Sequence, residues 1–330
     1  MTQALDLPMK SCRVSIIIKA LNEENRIVAA VQSALADLEM VGDEVVLADS
    51  CFTDSTVALA GVYPIRIVQL ARAEQRCCGV GPQLGYQHCA GEYVYILDGD
   101  MEMLPGFLPQ ALDFTEAHPD IAGVGGQVVE TNTTSLKYVG RVERGLSHMQ
   151  AGFVDRLDMG GLYRRGSVGQ AGYFSDSNLH SYEEFDLAVR LRAHCWKLQR
   201  INIDSVLHQG HDAPPYQLLM RRWRSRYICG LGEVLRASLG KPHLKLVLRD
   251  VRELRLYAAV LVWWAVLLTV WLLPLTWTVR AAVFVGITAG PVLLMAWREQ
   301  SGFFCNVVVR QCRRAGAWAA CFAAPGARCD

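Results

Sequence analysis

The apolar positions fall into short unbroken runs, and stretches of helical spacing lie between them. Residues 14–19 read VSIIIK, an apolar run without alternation, as expected of a strand buried on both faces in a parallel sheet. Asn22, Glu23 and Glu24 follow. Ile27, Val28, Val31, Leu35 and Leu38 then recur at helical spacing, and Asn22 is expected to cap that helix. Residues 44–48 (EVVLA) predict a second strand, closed by Asp49 and Ser50, and Asp54 is expected to cap the helix after it. Residues 65–70 predict a third strand, 83–89 a helix, and 92–97 (EYVYIL) a fourth strand ending in Asp98-Gly99-Asp100. A helix over 104–115 precedes a glycine-bearing strand over 121–129, where Gly123, Gly125 and Gly126 imply close backbone approach. Residues 141–166 show no clear period, 181–193 predict a helix, and 201–207 a last strand ending at His208. This alternation predicts an α/β fold, doubly wound, with a mostly parallel sheet and helices on both faces. Ligands of such sheets sit outside the carboxyl ends of the strands, where Asn22, Asp49 and Asp98 fall.

The pattern changes near the end of the chain. Residues 256–275 carry no charge and include Trp263, Trp264 and Trp271; residues 281–297 are also uncharged. At about 1.5 Å per residue, each crosses or nearly crosses a hydrocarbon core of about 30 Å. Arg249, Arg252 and Arg255 flank the pair on one side, and Arg298, Arg310, Arg313 and Arg314 on the other. Positive residues favour the cytoplasm, so a hairpin with both ends cytosolic is expected, reversing near Pro274. Four segments result: a catalytic domain over 1–212, a basic amphipathic segment over 213–255, two membrane helices within 256–298, and a cytosolic or interfacial tail over 299–330. Phe303, Phe304, Val307 and Val308 give that tail helical spacing.

Composition narrows the class. The chain has 330 residues, 52% hydrophobic and 20% charged, which excludes global disorder. Its net charge of +1 argues against a general nucleic-acid binder. Residues 221–255 nevertheless hold ten Lys and Arg against three Asp and Glu. That segment orients a membrane protein or docks it on anionic headgroups, with Leu218, Leu219, Trp223 and Tyr227 as its apolar side. The cysteines number eleven, without paired CxxC spacing, so a reduced, cytosol-facing domain is expected rather than a disulfide scaffold. Residues 1–10 lack the apolar stretch of a signal peptide.

Candidate chemistry gathers at the strand ends. Asp98 and Asp100 flank a glycine turn and suit Mg²⁺ or Mn²⁺, one of them through water or a ribose. Asp49 is placed to accept from a base N–H. Glu183, Glu184 and Asp186 open a helix, where acids also favour the dipole, and Asp186 can pair with Arg190 at i,i+4. One of these three acids is the candidate general base for an acceptor hydroxyl. His208 or His211 could ligate the metal or contact a diphosphate.

These stretches together resemble the inverting glycosyltransferases of family 2, with a GT-A fold. The resemblance rests on VSIIIKALNEENRI (14–27), EVVLADSCFTDST (44–56), GPQLGYQHCAGEYVYILDGDM (81–101), GVGGQVVE (123–130) and NLHSYEEFDLAVRLRAHCWKL (178–198). It implies a nucleotide-sugar donor, a glycan or lipid-linked acceptor, and a Mg²⁺ or Mn²⁺ ion. Ala20 and Leu21 would line the nucleotide pocket, with Asp49 on the base and Asp98 on the ribose side. Asn22, Arg76, Gln83 and Gly99 complete the expected donor set. Asp100 would hold the metal, with Asp98 and His208 as the other candidate ligands. Glu184 stands where the family usually places an Asp base, flanked by Glu183 and Asp186. Lys19 stands where Pro is usual, and Pro82 where an Arg near the phosphates is common; Arg72 or Arg76 would compensate. In QLLMRRW (217–223), Leu219 replaces the Gln of the processive QxxRW signature. The expected function is membrane-anchored transfer of a sugar to a hydroxyl acceptor in envelope or surface glycan synthesis. A polyprenyl-phosphate acceptor and a catalytically silent membrane scaffold are the alternatives. A dinucleotide enzyme is disfavoured because ALNEEN, not GxGxxG, follows the first strand.

Overall fold

The computed structural model describes residues 12–39, 44–51, 53–131, 147–209, 215–274 and 276–298. They divide into two compact units, one running to residue 209 and one starting at residue 215. His211 and the tail over 299–330 lie outside the described residues.

In the first unit, β1 (Val14–Ala20), β2 (Glu44–Asp49), β3 (Arg66–Gln69) and β4 (Tyr93–Asp98) form a parallel half-sheet in the order β3-β2-β1-β4. Ile16, Ile17 and Ile18 are fully buried, so both faces of β1 are covered, as its unbroken apolar run requires. On one face lies α1 (Ile27–Leu38); α3 (Val80–Gln87) packs against β1 and β2, and α2 (Thr56–Ala60) lies beside α1.

Beyond β4 the sheet is mixed. Strand β8 (Gly161–Arg164) runs antiparallel between β4 and β6 (Ile121–Glu130). β6 is parallel to β9 (Lys197–His208), which in turn carries β5 (Met101–Met103) and β7 (Gly152–Val154) antiparallel. The expectation of a mostly parallel sheet is thus corrected in its second half, where short β5, β7 and β8 give no readable period. Gly126 allows the close approach expected of β6, since a Cβ there would stand 2.5 Å from the Ile203 carbonyl oxygen. Helix α4 (Phe107–Ala117) is capped from afar: the Asp37 carboxylate accepts from the amides of Gly106 (2.7 Å) and Leu108 (3.1 Å). Helices α5 (Arg165–Gln170) and α6 (Glu183–Ala193) complete this unit. Among the described residues no cysteine forms a disulfide.

The second unit is helical: α7 (Pro215–Arg224), α8 (Gly230–Ser238), α9 (Leu244–Asp250), α10 (Arg252–Leu272) and α11 (Trp277–Arg298). The Trp263 indole donates to the Ile287 carbonyl at 3.0 Å, so α10 and α11 pack as a hairpin. Among the described residues one helix is long and apolar enough to cross a membrane, residues 253–272; the described apolar stretch 277–289 is shorter.

Candidate active site

The carboxyl ends of β1, β2 and β4 meet at one edge, because the parallel register sets Lys19 beside Asp98 and Ala20 beside Asp49. The Asp98-Gly99-Asp100 turn lies against β1: the Gly99 amide donates to the Lys19 carbonyl at 2.9 Å. A Cβ at Gly99 would stand 2.6 Å from that of Ala20, so the close turn requires glycine there. Ala20 is buried and Leu21 half-buried at the strand end.

Lys19 organises the charges. Its Nζ lies 3.0 Å from Asp98 Oδ1, 3.2 Å from Glu183 Oε1 and 3.7 Å from Glu184 Oε1. Burial opposes the ammonium, but the facing Asp98, Glu184 and Glu183 carboxylates overrule it and hold it well above the usual lysine range. Burial raises Asp98 despite Lys19, with Asp100 adding to the rise. Burial likewise pushes Glu184 up to about 8; Lys19 draws it down, while Asp158, Asp98 and Glu183 oppose that. A carboxyl poised near neutrality suits proton transfer.

The acids reach this edge on the first turn of α6, whose Arg190 and Arg192 complement the dipole at its other end. Asp186 points elsewhere. It is buried, and its Oδ2 accepts from Arg190 Nε at 2.8 Å. Arg190 also donates to the carbonyls of Ala171, Tyr173 and Phe174. The expectation that Asp186 flanks the reacting carboxylate is corrected: its charge fastens α6 to the segment before it.

A second constellation sits where β9 meets β5 and β6. His208 is paired in register with both Met101 and Glu130. Its Nε2 faces Asp100 Oδ2 at 3.5 Å, and its Nδ1 faces Glu130 Oε2 at 2.6 Å. Burial opposes the imidazolium, but Asp100 and Glu130 together lift it to about 9. A carboxylate behind an imidazole is the usual outer shell of a metal-ligating histidine. With the Nε2 proton released on metal binding, Asp100 and His208 fit a divalent cation as two ligands, leaving its other positions to phosphate oxygens and water. Asp98 is turned to Lys19 instead, and among the described residues no three His, Cys, Asp or Glu side chains gather at one metal-sized point.

Other expected donor residues have structural partners. Asn22 does not cap α1; it adopts φ +57° and its Oδ1 accepts from the Thr53 amide at 2.9 Å, joining the loops after β1 and β2. Gln83 Oε1 accepts from the amides of Phe174 and Ser175, so this side chain is a brace. Asp49 is buried and accepts from Gln69 Nε2 at 2.7 Å. Asp54 accepts from the Thr56 amide at 3.0 Å at the start of α2. Arg72 and Arg76 are exposed between β3 and α3.

Two groups escaped the sequence reading. Glu130 is the last residue of β6, and a lone acid closing an apolar strand was its available signal. Before β8, Asp158 accepts from Arg156 Nε and pairs with His148 Nε2, each at 3.0 Å. Burial opposes the Asp158 carboxylate, but His148 and Arg156 bring it down to about 2. This charge lies close enough to raise Glu184.

Residues 15–174 match the family model for glycosyl transferase family 2. Succinoglycan biosynthesis protein ExoO of Rhizobium meliloti is 29% identical over 149 residues, 44% of this chain and 40% of that protein. Glucomannan 4-beta-mannosyltransferase 2 of Arabidopsis thaliana is 26% identical over 160 residues, 46% of this chain and 29% of its own length. The chain thus spans well under half the length of these curated relatives. Among solved structures, the mannosyltransferase PcManGT from Pyrobaculum calidifontis, in complex with GDP-Man and Mn²⁺, superposes with a TM-score of 0.59 at 17% identity, covering 96% of this chain and 88% of that one. Glucosyl-3-phosphoglycerate synthase from Mycobacterium tuberculosis, in complex with Mn²⁺, UDP and phosphoglyceric acid, gives 0.50 at 18% identity over 70% of this chain and 80% of that one. These likenesses show a GT-A-like mixed α/β fold. Residues 15–174 therefore form a domain of the glycosyl transferase family 2 type.

Proposed function

We propose that this domain transfers a sugar, with inversion, from a nucleotide-diphosphate donor to a hydroxyl of a glycan or lipid-linked acceptor at a membrane. The observation that carries this reading is the placement of Glu183 and Glu184 against the Asp98 end of β4, within reach of one lysine. A proton acceptor and a donor-binding edge then share one site.

Ala20, Leu21 and Asp49 receive the nucleoside, and Asp98 faces the ribose side. Asp100 and His208, the latter oriented by Glu130, would hold a Mg²⁺ or Mn²⁺ ion. Such an ion offsets the charge that develops on the leaving diphosphate. Mn²⁺ with a nucleotide in the similar solved structures supports this donor and metal class. Glu184 takes the proton from the acceptor hydroxyl. The acceptor oxygen forms its bond to the anomeric carbon as the bond to the diphosphate breaks on the opposite face, so the configuration inverts. Glutamate carries the carboxylate one methylene further than aspartate would.

Membrane anchoring rests on the helix over 253–272 and on the basic segment before it. Tyr216, Met220 and Trp223 are exposed on α7 beside Arg221, Arg222 and Arg224, with exposed Tyr227 just past its end, as suits an anionic interface. The positive flank supports a catalytic unit on the cytosolic face of an inner membrane. Polysaccharide-building relatives support a role in envelope or surface glycan synthesis.

The test is full-length protein in detergent with a lipid extract and a panel of UDP-, GDP- and dTDP-sugars. Nucleotide release is read with Mn²⁺, Mg²⁺ or EDTA. Metal-dependent release from one donor is expected; no release from any donor, despite nucleotide binding, would instead support a silent scaffold.

A further inference from the structure

We propose that Lys19 is a positioning residue that locks the base-bearing first turn of α6 to the donor end of β4 through one ammonium shared by Asp98, Glu183 and Glu184. This rests on the reading of Glu184 as the base.

Lys19 is the one charge in the buried strand VSIIIKA. Its stem is held from several sides. The register fixes it beside Asp98, its carbonyl accepts from the Gly99 amide, and its Cβ lies 3.5 Å from where a Cβ on Gly81 of α3 would stand. The head crosses from this rigid sheet edge to a helix 164 residues later, at 3.2 Å from Glu183. An ammonium withdrawn from water stays only where opposite charges face it, and here three carboxylates do. The converse holds for the acids. Without the cation, crowded acids in a partly dry site either repel or take up protons, and in both cases the three-way tie between the first turn of α6 and β4 is lost. Glu184 then no longer meets the acceptor hydroxyl at attack distance, although Asp100, His208 and Glu130 are untouched.

A second role for the same ammonium would be to bind the donor diphosphate, since Pro82 stands where a phosphate-binding arginine is expected. The two roles separate experimentally. Positioning acts on turnover, and phosphate binding acts on donor affinity.

The experiment compares Lys19→Met, Lys19→Arg and Glu184→Gln in the full-length protein. Donor dissociation constants with Mn²⁺ are measured by calorimetry, and kcat and acceptor KM by nucleotide release. Lys19→Met is expected to lower kcat about a hundredfold, the loss typical of a misplaced catalytic group. Donor affinity should stay within about threefold of the parent. Lys19→Arg is expected to recover most of kcat. Unchanged kcat in Lys19→Met, or a collapse of donor affinity with kcat retained, overturns the proposal. If Lys19→Met does not fold, Glu183→Gln serves, because it loosens the same tie while sparing ammonium and base. A kcat lower by about tenfold supports the lock, and an unchanged kcat overturns it. A fully active Glu184→Gln would instead remove the base assignment, whatever Lys19 does.

Discussion

Helix α6 holds two acidic settings less than a turn apart, and they are built differently. Asp186 is buried against Arg190, whose remaining donors are spent on three backbone carbonyls. Glu183 and Glu184 are half-buried and share one lysine with Asp98. In the first setting one guanidinium pairs with one carboxylate and ties down backbone; such a pair holds a fold together. In the second, burial raises the Glu184 carboxyl, and the one cation that draws it down is shared with two other acids. Carboxylate chemistry is the same in both; burial and the number of cations per acid separate the scaffold pair from the proposed reactive site.

The largest expected contrast is in stability. Asp186→Asn leaves the Arg190 charge buried without its counter-ion and should cost about 3–5 kcal/mol in urea unfolding. The folded fraction should keep its specific activity. Loss of turnover without loss of stability would place Asp186 among the reacting groups after all. Next is the metal side. Glu130→Gln removes the carboxylate behind His208 and should weaken Mn²⁺ binding, read by electron paramagnetic resonance titration, by about 10–100-fold. Unchanged Mn²⁺ affinity would detach His208 from the metal. Smallest is the pH effect. Burial holds Glu184 near 8, so its carboxylate form is lost as pH falls below that value. The rate should then drop about tenfold per pH unit on that limb. A rate flat between pH 6 and 8 would show that no such group titrates during turnover.

The parallel half of the fold was legible in the sequence because β1, β2 and β4 are unbroken apolar runs and α1 and α6 keep their periodicity. Strand β8 was not, since four residues carry no period and its antiparallel place is set by partners at Tyr93–Ile96 and Gly123–Val124. β5 is three residues long and exists because β9 continues to His208. At the site, position on a strand end was readable for Asp49, Asp98 and Asp100. What each side chain touches was not. Asn22 and Gln83 look like ligand groups in sequence, yet they bond to backbone 31 and 91 residues away. Lys19 was visible as a departure from the family pattern, but its partners on α6 depend on tertiary closure. Glu130 acquired meaning through the β6–β9 register.

The most direct test is Glu184→Gln, which removes the base while keeping the shape of the side chain. Transfer and donor binding would be measured on the same folded preparation. Base catalysis at Glu184 predicts a loss of kcat of about 10²–10⁴-fold with donor affinity retained. Parental turnover in this variant would contradict it and return the proton to another group.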